Sequence, residues 1–128
     1  MIIVDTDADA VDDIKKAIKI FQYDCEAVIY SSGKKCLNDL TSNKVHEAIV
    51  VGLKLSDMSG FELVKQIRED YDIPIIFVSH DKDIKLLEKA LDSGANSYII
   101  KPFNKNIFAA SLKAIIRRRE WESQFNKE

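Results

Sequence analysis

The sequence predicts an α/β fold, a doubly wound sheet of five parallel strands. Two observations predict it. Five short apolar runs recur along the chain, four of them rich in Ile and Val, and none alternates cleanly with polar residues. Strands buried on both faces of a parallel sheet read this way. Between the runs lie segments whose apolar residues recur at helical spacing. A length of 128 residues suits one such domain and leaves little room for two.

The strands are expected at Ile2–Val4, Ala27–Tyr30, Ala48–Val51, Ile75–Val78 and Tyr98–Ile100. Ile14, Ala17, Ile18 and Phe21 mark the buried face of the first helix, and Cys36, Leu37 and Leu40 that of the second. Phe61, Leu63, Val64 and Ile67 mark the third; Ile84, Leu87 and Leu91, closed by Gly94, mark the fourth. Ile107, Leu112, Ile115 and Ile116 mark the fifth. Crossovers between parallel strands are expected to be right-handed. The tail from Arg117 is polar, with Trp121 and Phe125 four apart.

Composition narrows the function. Lys plus Arg is 19 and Asp plus Glu is 21, a formal charge of −2, which argues against general nucleic-acid binding. No run of about 20 apolar residues exists for a membrane span, and the opening Met1-Ile2-Ile3-Val4 is too short and too soon acidic for a signal peptide. Cys25 and Cys36 have no Cys-x-x-Cys partner spacing, so a disulfide framework or zinc site is not expected; free, partly buried thiols in a reducing cytoplasm are.

In open α/β sheets the ligand site lies at the carboxyl ends of the strands. Asp5-Thr6-Asp7-Ala8-Asp9 follows the first strand. It has no glycine to cradle a phosphate, so flavin or dinucleotide binding is not expected. Clustered carboxylates suit a hard cation such as Mg²⁺, although Asp7 or Asp9 is also expected to cap the first helix. Ser79 closes the fourth run, with His80 beside it. Lys101, kept extended by Pro102, follows the fifth and can reach an anionic oxygen as a point charge. Neither His46 nor His80 has metal-ligand spacing.

Together these features resemble the receiver domain of two-component response regulators. The resemblance runs from Met1 to about Arg118 and is carried by Ile2-Ile3-Val4-Asp5, Gly60-Phe61-Glu62-Leu63, Pro74 through Ser79, and above all Gly94-Ala95-Asn96-Ser97-Tyr98-Ile99-Ile100-Lys101-Pro102-Phe103. It implies a flavodoxin-like (βα)5 three-layer sandwich with strand order 2-1-3-4-5. It also implies an Asp at the end of strand three that accepts a phosphoryl group, with Mg²⁺ held by that Asp and an acidic pair after strand one. Asp5 matches the first acid, Ser79 the phosphate-contacting hydroxyl, Tyr98 the aromatic that changes rotamer, and Lys101 the lysine.

Two positions depart from the pattern. The acceptor position falls on Gly52, in Val50-Val51-Gly52-Leu53-Lys54, and the second acid position holds Thr6. Glycine has no side chain to form an acyl phosphate, and a neutral hydroxyl is a poor substitute for a carboxylate around Mg²⁺. Lys54 and Ser56 replace a usual apolar residue and a usual Pro. Asp57 lies too far along to serve as acceptor and is read as a turn former with Met58, Ser59 and Gly60. Asp7 is expected to point away from the acidic pocket.

The expectation is therefore an atypical receiver that signals without aspartyl phosphorylation. It is not an enzyme and needs no cofactor; Mg²⁺ binding is weak or absent, with Asp5 the one remaining metal candidate. Lys101 is expected to turn to Asp5 or fill the space above Gly52. Two alternatives stand beside this: a conventional receiver that uses another acid, and a small phosphatase with Asp5 as nucleophile and Asp7 as general acid. Residues 1–118 would form the receiver. Residues 119–128 would extend the last helix or open a connection to an output domain controlling transcription. The partner would be a sensor kinase or another signalling protein. Homodimerisation would use helix four, strand five and helix five, although Asn96, Ser97 and Ser111 replace residues usual there; an apolar patch at Ile107, Phe108 and Trp121 offers another contact. Arg117–Arg119 is read as a solvated helix end. No membrane and no direct nucleic acid contact are expected.

Overall fold

The computed structural model describes residues 1–22, 24–42 and 45–125. Strands and helices alternate throughout: β1 (Ile2–Val4), α1 (Ala8–Phe21), β2 (Val28–Tyr30), α2 (Gly33–Leu40), β3 (Ile49–Val51), α3 (Gly60–Asp70), β4 (Ile75–Ser79), α4 (Ile84–Asp92), β5 (Ser97–Ile100) and α5 (Lys105–Phe125). The five strands form one parallel sheet in the order β2-β1-β3-β4-β5. Strand ends differ from the apolar runs by a residue, as hydrogen-bond pairing and hydropathy define different limits.

Side chains of a strand alternate between faces, and here they divide the core into two layers. Ile2, Val4, Ile49, Val51, Ile75 and Phe77 pack with α2, α3 and the inner side of α4. Ile3, Val50, Ile76 and Val78 pack with α1 and α5. Every β1, β3 and β4 residue is buried, which is why those runs show no polar alternation.

Caps set the helix starts. Asp7, Ser32, Ser59 and Asp83 each accept backbone N–H bonds at the first turn of α1, α2, α3 and α4. The faces expected for α1, α2 and α3 turn inward. The face expected for α4 does not: Ile84 is 70% and Leu91 44% exposed, while Leu86 and Ala90 face the sheet. Two apolar rows overlap on this nine-residue helix, and spacing alone does not say which one meets the core. Ile107 is likewise 67% exposed at the start of α5, where Phe108 and Leu112 fill the core instead. Phe108 therefore cannot belong to a surface patch with Ile107 and Trp121.

Both cysteines are buried, Cys36 completely, rather than partly. The α5 helix continues without a break through Arg117–Arg119 to Phe125. The arginines are exposed but lie within the helix rather than at its end. Of the expected 119–128 segment, residues 126–128 lie outside the described residues, as does the side chain of Phe125. No described helix is long and apolar enough to cross a membrane.

Candidate functional site

The chain leaves β1 toward β2 on one side and reaches β3 on the other. The crevice between β1 and β3 is the switch point at which such sheets bind ligands. Asp5 directly follows β1 and Gly52 directly follows β3, and Ser79 and Lys101 complete the edge. These four line one open cleft of about 640 Å³ together with Thr6, Asp7, Lys54 and His80.

Asp5 is buried, and its position decides the geometry of the cleft. Its Oδ1 accepts the Asp7 N–H at 3.0 Å. Its carboxylate lies directly over Gly52: an ideal Cβ on Gly52 would meet Asp5 Cγ at 2.8 Å and both oxygens at 2.9 Å. Contacts that short do not occur between settled side chains, so the space of a residue-52 side chain is occupied. Gly52 itself is fixed by donating its N–H to Val4 O at 2.8 Å. Asp5 Oδ2 is a buried side-chain oxygen with no hydrogen bond among the described residues. Lys101 Nζ stands 3.6 Å from it, close enough for ion pairing and too far for a hydrogen bond.

Asp7 does not point away. Its Oδ1 caps α1 by accepting from Asp9 N and Ala10 N, while its Oδ2 accepts from Lys101 Nζ at 3.3 Å. The Ala10 N–H above all, with Lys101 adding to it, holds the Asp7 carboxyl below its ordinary range. Lys101, with its side chain only 10% exposed, thus sits between two carboxylates. The turn of Lys101 toward Asp5 is as expected; the share taken by Asp7 is not. His80 stands at the mouth, its Nε2 3.7 Å from Asp7 Oδ2.

The exposed Thr6 side chain donates to the Lys54 carbonyl at 3.3 Å, joining the loop after β1 to the loop after β3. Ser79 is buried, and its Oγ accepts the Asp81 N–H. Tyr98 is half-buried; its hydroxyl donates to the Asp81 carbonyl at 2.9 Å, and its ring lies 6.4 Å from that of Phe77.

Asp57 has a different role from the one expected. Rather than only shaping its own turn, its carboxylate accepts from Ser32 Oγ, Gly33 N and Lys34 N, capping α2 from another loop. The Gly33 N–H, then that of Lys34, hold this carboxyl below its usual range. Ser56 N–H donates to Ser31 O alongside. No local sequence signal announces a cap supplied 24 residues away. Another unannounced feature is the Asp39 carboxylate, which accepts the Tyr30 hydroxyl and stands 2.7 Å from His46 Nε2.

The resemblance implies a divalent cation, and the donor set does not fit one. Gly52 supplies no ligand, Thr6 is engaged with Lys54, and Asp7 is divided between the α1 cap and Lys101. Among the described residues no group of three His, Cys, Asp or Glu is placed to hold a metal.

Comparisons with known proteins agree with this architecture. The family model of the response regulator receiver domain matches residues 1–113. The chain belongs to that family, a class of signalling domains. The heme response regulator HssR of Staphylococcus saprophyticus is 32% identical over 117 residues, which is 91% of this chain and 51% of that protein. The transcriptional regulatory protein KdpE of Staphylococcus aureus is 39% identical over 71 residues, 56% of this chain and 31% of that protein. The chain thus spans about half the length, or less, of these curated relatives. A two-component response regulator from Clostridium difficile superposes with TM-score 0.82 at 30% identity, covering 92% of this chain and 95% of that one. A CheY-like receiver from Methanospirillum hungatei has the same fold, with TM-score 0.81 at 24% identity and coverage of 94% and 95%.

Proposed function

We propose that this receiver regulates its partner without aspartyl phosphorylation. The observation that carries the reading is the Asp5 carboxylate seated over Gly52, where an acceptor side chain would have to stand. Lys101 then serves the carboxylates of Asp5 and Asp7 rather than a phosphoryl group, while Ser79 and Tyr98 remain as elements that a protein partner or small ligand can bias. Incubation with acetyl phosphate and Mg²⁺, read by intact mass, is expected to leave the protein unmodified. A stable gain of about 80 Da, the mass of one phosphoryl group, would overturn the reading.

A second reading has one supporting observation. Asp5 lines the cleft and its buried Oδ2 has no hydrogen bond among the described residues, so Asp5 is the acid that an alternative acceptor would use. An adduct that disappears in Asp5→Asn would establish it. The phosphatase reading has less support, because a carboxyl held anionic at Asp7 is a poor general acid; we infer signalling rather than turnover.

Residues 1–118 serve as the receiver in this reading, and 119–128 as the helix extension or the start of a connection to an output domain, with α5 described as far as Phe125. The relative named as a transcriptional regulatory protein, KdpE, suggests transcription as the controlled process. A sensor kinase or other signalling protein in the cytoplasm is the proposed partner. A second copy could meet the face formed by α4, β5 and α5, where Ile84, Leu91 and Ile107 are exposed. Light scattering tests this: dimers abolished by Ile84→Glu are expected, and a strict monomer at high concentration counts against it.

A further inference from the structure

We propose that Lys101 is the site's own cation and excludes a divalent ion from the acidic cleft. The inference deepens the phosphorylation-independent reading and is tested without a phosphoryl donor.

A hard cation needs several oxygen ligands, preferably anionic. Of the three carboxylates that line this cleft, those of Asp5 and Asp7 each turn to Lys101 an oxygen not committed to a backbone donor, Oδ2. The Lys101 ammonium lies 3.6 Å from the first and 3.3 Å from the second. Its side chain is 10% exposed and that of Asp5 is 6% exposed, so water screens the pair poorly. A positive charge already in this position repels an incoming cation and neutralises the groups that would attract it.

The ammonium also bridges two segments of chain. Asp5 and Asp7 belong to the loop after β1, and Lys101 to the exit from β5. The Thr6 bond to Lys54 O makes a second bridge, from the loop after β1 to the loop after β3. Side chains of the protein itself thus tie three strand ends together. Lys101 cannot leave easily, because departure would strand the buried Asp5 carboxylate without a countercharge.

The experiment counts free Mn²⁺ by electron paramagnetic resonance as it is titrated into the full chain. The intact protein is expected to show no saturable binding at millimolar Mn²⁺. Lys101→Met removes the charge and keeps the length, and is expected to bind Mn²⁺ at least ~10-fold more tightly, since a unit charge a few ångströms away in a poorly screened site exceeds that threshold. Lys101→Arg should retain exclusion, and adding Asp5→Asn to Lys101→Met should remove the gain.

Saturable Mn²⁺ binding by the intact chain as tight as that of Lys101→Met would overturn the proposal. So would a folded Lys101→Met protein, verified by circular dichroism, that gains no affinity. Should the variants misfold, amide resonances of Asp5, Asp7 and Lys101 in the intact chain decide: no shift with Mg²⁺ supports exclusion, and a saturable shift refutes it. A chain that accepts no phosphoryl group can still bind Mn²⁺, so this proposal and the functional reading fail separately.

Discussion

The carboxylate of Asp5 stands where the side chain of residue 52 would begin, 2.8 Å from the Cβ position of Gly52. The two residues directly follow adjacent strands whose pairing runs through Val4 and Val51. With no side chain on Gly52, the Asp5 carboxylate fills the space that one would need.

Gly52→Asp is accordingly expected not to create a phosphorylated receiver. The new Cβ must displace Asp5, and a third carboxylate would then crowd beside the one ammonium that Asp5 and Asp7 share. Overpacking of this kind costs about 1–3 kcal/mol. Urea denaturation should report the loss and intact mass after acetyl phosphate treatment should report no adduct. A stable variant modified at residue 52 would refute the argument.

Glycines 60 and 33 should respond differently to alanine. A Cβ at Gly60 would lie 2.2 Å from the Gly52 carbonyl oxygen, a backbone atom, and 2.8 Å from the ring of Phe77 in β4. The three atoms nearest to one at Gly33 all belong to the Met58 side chain, which has rotamers to spare. Gly60→Ala should destabilise by at least the ~1–3 kcal/mol of an overpacked core, and Gly33→Ala by clearly less. Equal melting temperatures for the two variants would contradict this.

Acid should weaken the fold in part through Asp57 and Asp7. Both carboxyls are held below their unfolded range by backbone N–H bonds, first Gly33 for Asp57 and first Ala10 for Asp7. A depressed folded value contributes stability above the unfolded value, near 3.9, and that contribution disappears as pH falls through the folded value. The urea midpoint of the intact chain should drop across this acid window. Asp57→Ala should be less stable at pH 7 and lose less on acidification; a parallel pH curve would remove Asp57 from the account.

The thiols should be silent in the native state. Burial, then Asp39, pushes Cys36 up to about 12, and burial raises Cys25 as well. A disulfide-exchange reagent at pH 8 should label neither until denaturant is added. Rapid native labelling of Cys36 would show that α2 opens readily. Cys36→Ser buries a hydroxyl at a fully enclosed site and should cost about 1–3 kcal/mol.

Much of this was legible in the residues. The sheet could be read because β1, β3 and β4 are buried on both sides and carry no polar alternation. Asp5, Ser79 and Lys101 could be placed because strand ends define the site edge. Reading stopped where tertiary geometry chooses between equal local patterns. On α4, Ile84, Leu87 and Leu91 form as good a row as the one that packs. Asp57 sits in a turn by every local criterion, yet its carboxylate serves α2. Asp7 both caps α1 and holds Lys101, because a carboxylate has two oxygens that can face different neighbours.

The uninterrupted α5 helix has a geometric consequence. Twenty-one residues of α-helix extend roughly 31 Å at about 1.5 Å and 100° per residue. Because Phe108 and Leu112 anchor its first half in the core, the azimuth of Trp121 is set by residue count alone. Deleting one residue between Arg117 and Glu120 would swing that indole about a quarter turn around the axis, making α5 a shaft whose angular phase is written in its length.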